Sequence, residues 1–225
     1  MKKPLIIALL LCFASIAIYF FDVFFLQKSE FDKGLSVSRL PWQIKINENG
    51  SSTVFGQTFS ISTLQSLKKT VAREPLIRVF RNPDGSLSLE AFFNNVMLSY
   101  MTSKIIVKLK VSPEELLALE SRAISRDANP TGGYGLTLSE ADVQQVYGLK
   151  ISTITWLPTW FRLDESMVVK RFGKMTEKVT TSDSAQHWLY PKLGLDIIKK
   201  QDGRIALQYI DPREFNKVIE NLQID

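Results

Sequence analysis

Hydrophobic and polar residues are arranged in three different ways along this chain, and each arrangement predicts a different kind of structure. From Pro4 to Phe21 the sequence is almost continuously apolar, and after Asp22 it resumes through Val23, Phe24, Phe25 and Leu26. At 1.5 Å per residue, roughly 22 helical residues cross a hydrocarbon core of about 30 Å. Residues 1–27 therefore read as a transmembrane helix, a single-pass signal anchor headed by Lys2 and Lys3, with Tyr19, Phe20, Phe21, Phe24 and Phe25 at its exit. The short basic head places the chain in the inner (cytoplasmic) membrane with its C-terminal module in the periplasm. A cleaved secretory signal is the alternative, through the small residues of Ala14-Ser15-Ile16-Ala17. Lipidation would want a small residue before Cys12, where Leu11 stands.

Residues 28–41 are polar and mixed in charge, which predicts a stalk. Beyond them, strand-like alternation and helix-like spacing take turns, with a repeat between residues 42–122 and 150–225. Phe59-Ser60-Ile61-Ser62-Thr63 and Phe161-Arg162-Leu163-Asp164-Glu165 each end in a capping residue, Ser62 or Asp164, followed by a helix over 63–71 or 165–172. Val111-Ser112-Pro113-Glu114-Glu115-Leu116 matches Ile210-Asp211-Pro212-Arg213-Glu214-Phe215: a cap, proline at the first helical position and glutamate at the third.

Between these markers each half holds three strands, predicted at 76–81, 87–93 and 104–111, then at 187–190, 195–200 and 204–210. Asp84-Gly85 and Asp202-Gly203 supply hairpin turns. Ile105, Val107, Leu109 and Val111 alternate with Lys104, Lys108 and Lys110, which predicts a strand with one wet face. Residues 123–149 form a connector, with a loop at Asn129-Pro130-Thr131-Gly132-Gly133 and a short helix capped by Ser139 and closed by Gly148. Entry strands are expected around 42–46 with 53–55, and at 152–156. The expected class is α+β: an N-terminal transmembrane helix, then two tandem units of helix, three-stranded antiparallel sheet and helix, packed together because about 75 residues alone bury little surface.

Composition changes this picture little. With 45% hydrophobic and 23% charged residues the chain belongs among folded proteins, and a net charge of +5 spread along it is no nucleic-acid footprint. The single cysteine, Cys12, lies in the apolar run, which leaves the remainder without a disulfide or a cysteine-based metal site.

Candidate chemistry is sparse. His187, the only histidine, stands beside Trp188 in a predicted strand and reads as a structural hydrogen-bonding residue. Glu114 and Glu115 begin a helix, where carboxylates favour the dipole. The Gly-rich stretch Gly132-Gly133-Tyr134-Gly135 lacks the Lys-Ser/Thr ending of a phosphate loop. Asn49-Gly50-Ser51 matches a glycosylation sequon but reads better as a hairpin turn. No catalytic, cofactor or metal set is expected, and the chain reads as a non-enzyme. Aromatics are the exception: Trp156-Leu157-Pro158-Thr159-Trp160 puts two tryptophans around a turn, which makes Trp156, Trp160 and Phe161 candidates for binding a partner.

The helix 165–172 closing on Phe172-Gly173, Trp188-Leu189-Tyr190, Leu195-Asp196-Ile197-Ile198, and Gly203 before 204–210 make the second half resemble the BamE (SmpA/OmlA) family of small envelope domains and the repeats of the β-lactamase inhibitor protein. Members often carry proline two residues after the helix-ending glycine, where this chain has Met175. Leu40-Pro41-Trp42-Gln43 is similar to the start of an uncharacterised proteobacterial envelope family. These resemblances imply an envelope protein; the leading expectation for its role is non-enzymatic binding of another protein. The expected partners are the membrane, through residues 4–26, and another envelope protein. The alternative is a lipid or peptidoglycan-fragment binder using a groove between the two repeats.

Overall fold

The computed structural model describes residues 40–98, 101–128, 132–159 and 164–223. A small sheet comes first: β1 (Lys45–Ile46), β2 (Ser52–Val54) and β3 (Gln57–Thr58). It is followed by α1 (Leu64–Val71), β4 (Leu76–Arg81), β5 (Leu87–Leu98), β6 (Met101–Leu109) and α2 (Pro113–Ser121). The connector supplies β7 (Ser125–Ala128), β8 (Tyr134–Thr137) and α3 (Glu140–Val146). The remainder is β9 (Ile151–Pro158), α4 (Glu165–Phe172), β10 (Glu177–Thr180), β11 (Gln186–Tyr190), β12 (Leu195–Lys199), β13 (Ile205–Ile210) and α5 (Asn216–Gln223).

All the strands from β4 onward form one ten-stranded antiparallel sheet, ordered β10-β11-β12-β13-β9-β6-β5-β4-β8-β7. This corrects the expected pair of separate three-stranded units. Each half does contribute its helix and its three strands, but β9 pairs with β13 on one side and with β6 on the other, fusing the two sets. Alternation in a sequence reports which face a residue takes; it says nothing about which edge a strand shares.

The expected membrane placement is also corrected. No helix among the described residues is long and apolar enough to cross a membrane, and residues 4–26, on which that expectation fell, lie outside the described residues. The single-pass anchor and the inner-membrane location are not carried further.

One face of the large sheet holds the core. Ile77, Val79, Leu89, Ala91, Phe93, Ile105, Val107, Ile154, Trp156, Leu195, Ile197, Leu207 and Tyr209 are buried there, and they belong to one cluster with Leu64 and Leu67 of α1, Leu119 of α2, Val146 of α3 and Val168 of α4. Inward residues of β5 run 89, 91, 93 and then 96 and 98. The change of parity is taken up by a β-bulge at Asn94-Asn95, where Asn95 has φ 51°. The bulge falls where β5 outruns β4, whose last partner is Leu76 opposite Phe92. The two terminal strands carry charges, Glu177 and Lys178 on β10 and Arg126 and Asp127 on β7, which discourages edge-to-edge pairing.

Caps fix the helix starts. Asp164 Oδ1 accepts from Met167 N at 2.8 Å and Ser112 Oγ from Glu115 N at 3.2 Å, as expected. For α1 the cap is Thr63, one residue after Ser62: its hydroxyl accepts from Ser66 N at 3.3 Å. The Tyr209 phenol, buried in the core, donates to Pro41 O at 2.7 Å and so ties the start of the described chain to the sheet.

Candidate functional site

The partner-binding residues expected from the sequence do not come together as a surface. β9 continues to Pro158, so Trp156 sits inside a strand, opposite Ile105 on one side and Leu207 on the other, and is 0% exposed. It is core. Trp160 and Phe161 lie outside the described residues.

Apolar surface is found instead on the face of the sheet turned away from the cluster that holds α1 to α4. Leu76, Phe92, Ile106, Thr155 and Gln208 are successive partners across β4, β5, β6, β9 and β13. With strands about 4.8 Å apart, the row is about 19 Å long. Leu76 is 56% exposed, and the other four are half-buried. Phe80 and Leu157, on the same face by alternation, are half-buried as well. An antiparallel sheet with one solvated face ordinarily alternates to polar residues there; here Leu76, Phe80, Phe92, Ile106 and Leu157 interrupt that polar phase.

Charged side chains border the row. The Lys104 ammonium stands 6.0 Å from the centre of the Phe92 ring. Lys108 is paired with Glu90 at 3.8 Å, and Arg78 with Asp127 at 2.9 Å. Long lysine stems lying along apolar surface with their heads in water are a common way to shield such a face in part.

Beyond Gln208 the same face becomes closed. Leu189 and Asp196 are cross-strand partners there and are 0% and 1% exposed. Asp196 Oδ2 lies 2.8 Å from Nδ1 of His187, so the sole histidine has the hydrogen-bonding role expected of it, bridging β11 and β12. Burial holds the Asp196 carboxyl above the usual carboxylate range, and the histidine partly offsets this. Its second oxygen, Oδ1, is buried without a hydrogen-bond partner among the described residues. Asp183, in the turn before β11, accepts from the Thr181 hydroxyl at 2.6 Å and from Ala185 N at 3.1 Å, which holds its carboxyl below the usual range.

An open groove of about 690 Å³ lies along the small sheet between Lys45, Glu48, Asn49 and Ile61. Its amides and hydroxyls largely satisfy one another: Asn47 Nδ2 donates to Ser51 Oγ and Thr53 Oγ1, and Asn49 Oδ1 accepts from Ser51 N and Oγ. Asn49-Gly50 is the turn that the sequence suggested, with Gly50 at φ 80°. Among the described residues no three His, Cys, Asp or Glu side chains come together as a metal-holding group.

The apolar row is visible in the sequence. Ile106 sits between Lys104 and Lys108, and Phe92 falls between two inward residues, so both interrupt the polar phase of their strands. No family model matches the chain, and neither a curated protein nor a solved structure matches it.

Proposed function

We propose that this chain is a non-enzymatic protein-interaction module whose docking surface is the outer face of β4, β5, β6 and β9. The observation that supports this reading is the row Leu76–Phe92–Ile106, exposed at Leu76 and half-buried at Phe92 and Ile106, on the side of the sheet where solvent-facing residues are ordinarily polar. Covering such a row with another protein removes apolar surface from water at about 25 cal/mol per Å², and the charged border at Lys104, Lys108 and Glu90 suits the polar rim that surrounds interface cores. The blunted sheet edges favour docking on the face over strand addition. The alternative reading, a lipid or peptidoglycan-fragment binder, relies on a groove between two repeats, whereas β6 pairs directly with β9 and joins the two halves in one sheet.

The reading is tested by affinity isolation from the source cells with the wild-type chain and with Ile106→Glu. A protein retained by the wild type and lost with the variant, while the variant keeps its thermal melting transition, is the expected result. Identical retained proteins from both would count against the outer face as the docking surface.

A further inference from the structure

We infer that Asn49 is a self-modification site, a carboxamide that converts to aspartate and isoaspartate, and that the hydrogen bonds of the 47–51 turn hold this conversion back. The inference is independent of the docking face. Asn49-Gly50 is the chain's single Asn-Gly step. With no Cβ on glycine, the backbone nitrogen that follows the asparagine can reach its side chain most freely. Asn49 is exposed in the hairpin turn between β1 and β2, on the open groove that Lys45, Glu48 and Ile61 also line, so water reaches it.

The reaction needs no partner but water. Gly50 N loses its proton and bonds to Asn49 Cγ. The Cγ–Nδ2 bond then breaks and ammonia leaves, carrying a proton in place of the one lost, which closes a succinimide. Water opens either carbonyl of that ring: cleavage at Cγ gives aspartate, and cleavage at the main-chain carbon gives isoaspartate.

The folded turn opposes ring closure at both reacting groups. Gly50 N–H donates to Asn47 O at 2.9 Å, which keeps the nucleophile protonated and directed at Asn47. Asn49 Oδ1 accepts from Ser51 N at 3.1 Å and from Ser51 Oγ at 2.7 Å, which fixes the carboxamide. Ser51 is itself buried, and its hydroxyl accepts from Asn47 Nδ2 at 3.0 Å. Closure therefore proceeds through an opened turn, and weakening the turn speeds it. The product carboxylate stands next to Glu48. Isoaspartate also adds a methylene to the main chain between Ile46 and Ser52, which are partners in the β1–β2 ladder.

Peptide mapping of the full chain held in mildly alkaline buffer, with isoaspartate resolved from aspartate, tests this. Asn49 is expected to convert before any other asparagine and to yield both products. Ser51→Ala removes one of the restraining bonds and should speed the conversion about fivefold, the change that one ordinary hydrogen bond produces. Should that variant fail to fold, the wild type alone decides: Asn49 must convert faster in the guanidinium-unfolded chain than in the folded one. An Asn49 that stays intact while another asparagine converts, or that yields aspartate alone, would overturn the site. A rate that is unchanged or lower in folded Ser51→Ala, or no faster in the unfolded chain, would overturn the restraint by the turn.

Discussion

Phe92 on β5 and Ile106 on β6 are direct cross-strand partners on the open face of the sheet, one residue along from Phe93 and Ile105, which are partners inside the core. Two neighbouring residue pairs thus meet opposite environments, and the difference can be measured.

Truncating Ile105 removes fully buried methyl groups and leaves a cavity, so Ile105→Ala should cost about 2–5 kcal/mol of unfolding free energy. Ile106→Ala removes half-buried surface and part of a cross-strand contact, at about 1 kcal/mol or less. Urea denaturation of the two variants checks the contrast. Equal losses would mean that Ile106 is as enclosed as Ile105.

Gly133 and Gly85 are both left-handed, with φ 76° and 84°, but only one is crowded. A Cβ on Gly133 would stand 2.0 Å from the Arg81 carbonyl oxygen, whereas one on Gly85 would meet nothing within 4 Å. Gly85→Ala should therefore cost only the conformational strain, about 1–2 kcal/mol. Gly133→Ala should cost more and should loosen β8 from β4. Denaturation midpoints, with exchange of the β8 amides, would show it.

Asp211 is held by Arg213 Nη2 at 2.6 Å and by the Ser60 hydroxyl at 2.9 Å, and these bonds keep its carboxyl below the ordinary value of 3.8. A carboxyl lowered in the folded state contributes stability that is present above the unfolded pKa and is lost as pH falls through the folded one. Thermal melts from pH 6 down to pH 2 should therefore show the wild type losing more than Asp211→Asn, with the gap opening below about pH 4. Parallel curves would remove Asp211 as a source of acid lability.

Much of the local structure was legible in the sequence because its causes are local. Asp164 and Ser112 cap the helices they were expected to cap, the Asp202-Gly203 turn joins β12 to β13, and the helix predicted over 165–172 is α4. What escaped depends on distant partners. Ser125–Ala128 has no apolar alternation and is exposed throughout, yet it is a strand because β8 offers it an open edge. The fusion of the halves escaped because β9 can pair on either side without changing which residues face inward. Trp156 closes the strand expected at 152–156 and borders the expected turn, but proline is tolerated at the last position of β9, so the strand runs on to Pro158 and holds the tryptophan in the core. Ile106 was hidden among lysines, which made its strand look wet on one side when that side is mixed.

Photo-crosslinking from position 106 in intact cells tests the docking surface most directly, with the same probe at the exposed Lys192 as a reference. The account predicts a discrete protein adduct from positions 106 and 76 and none of that mass from 192. The absence of any adduct from 106 and 76, or the same adduct from all three positions, would contradict it.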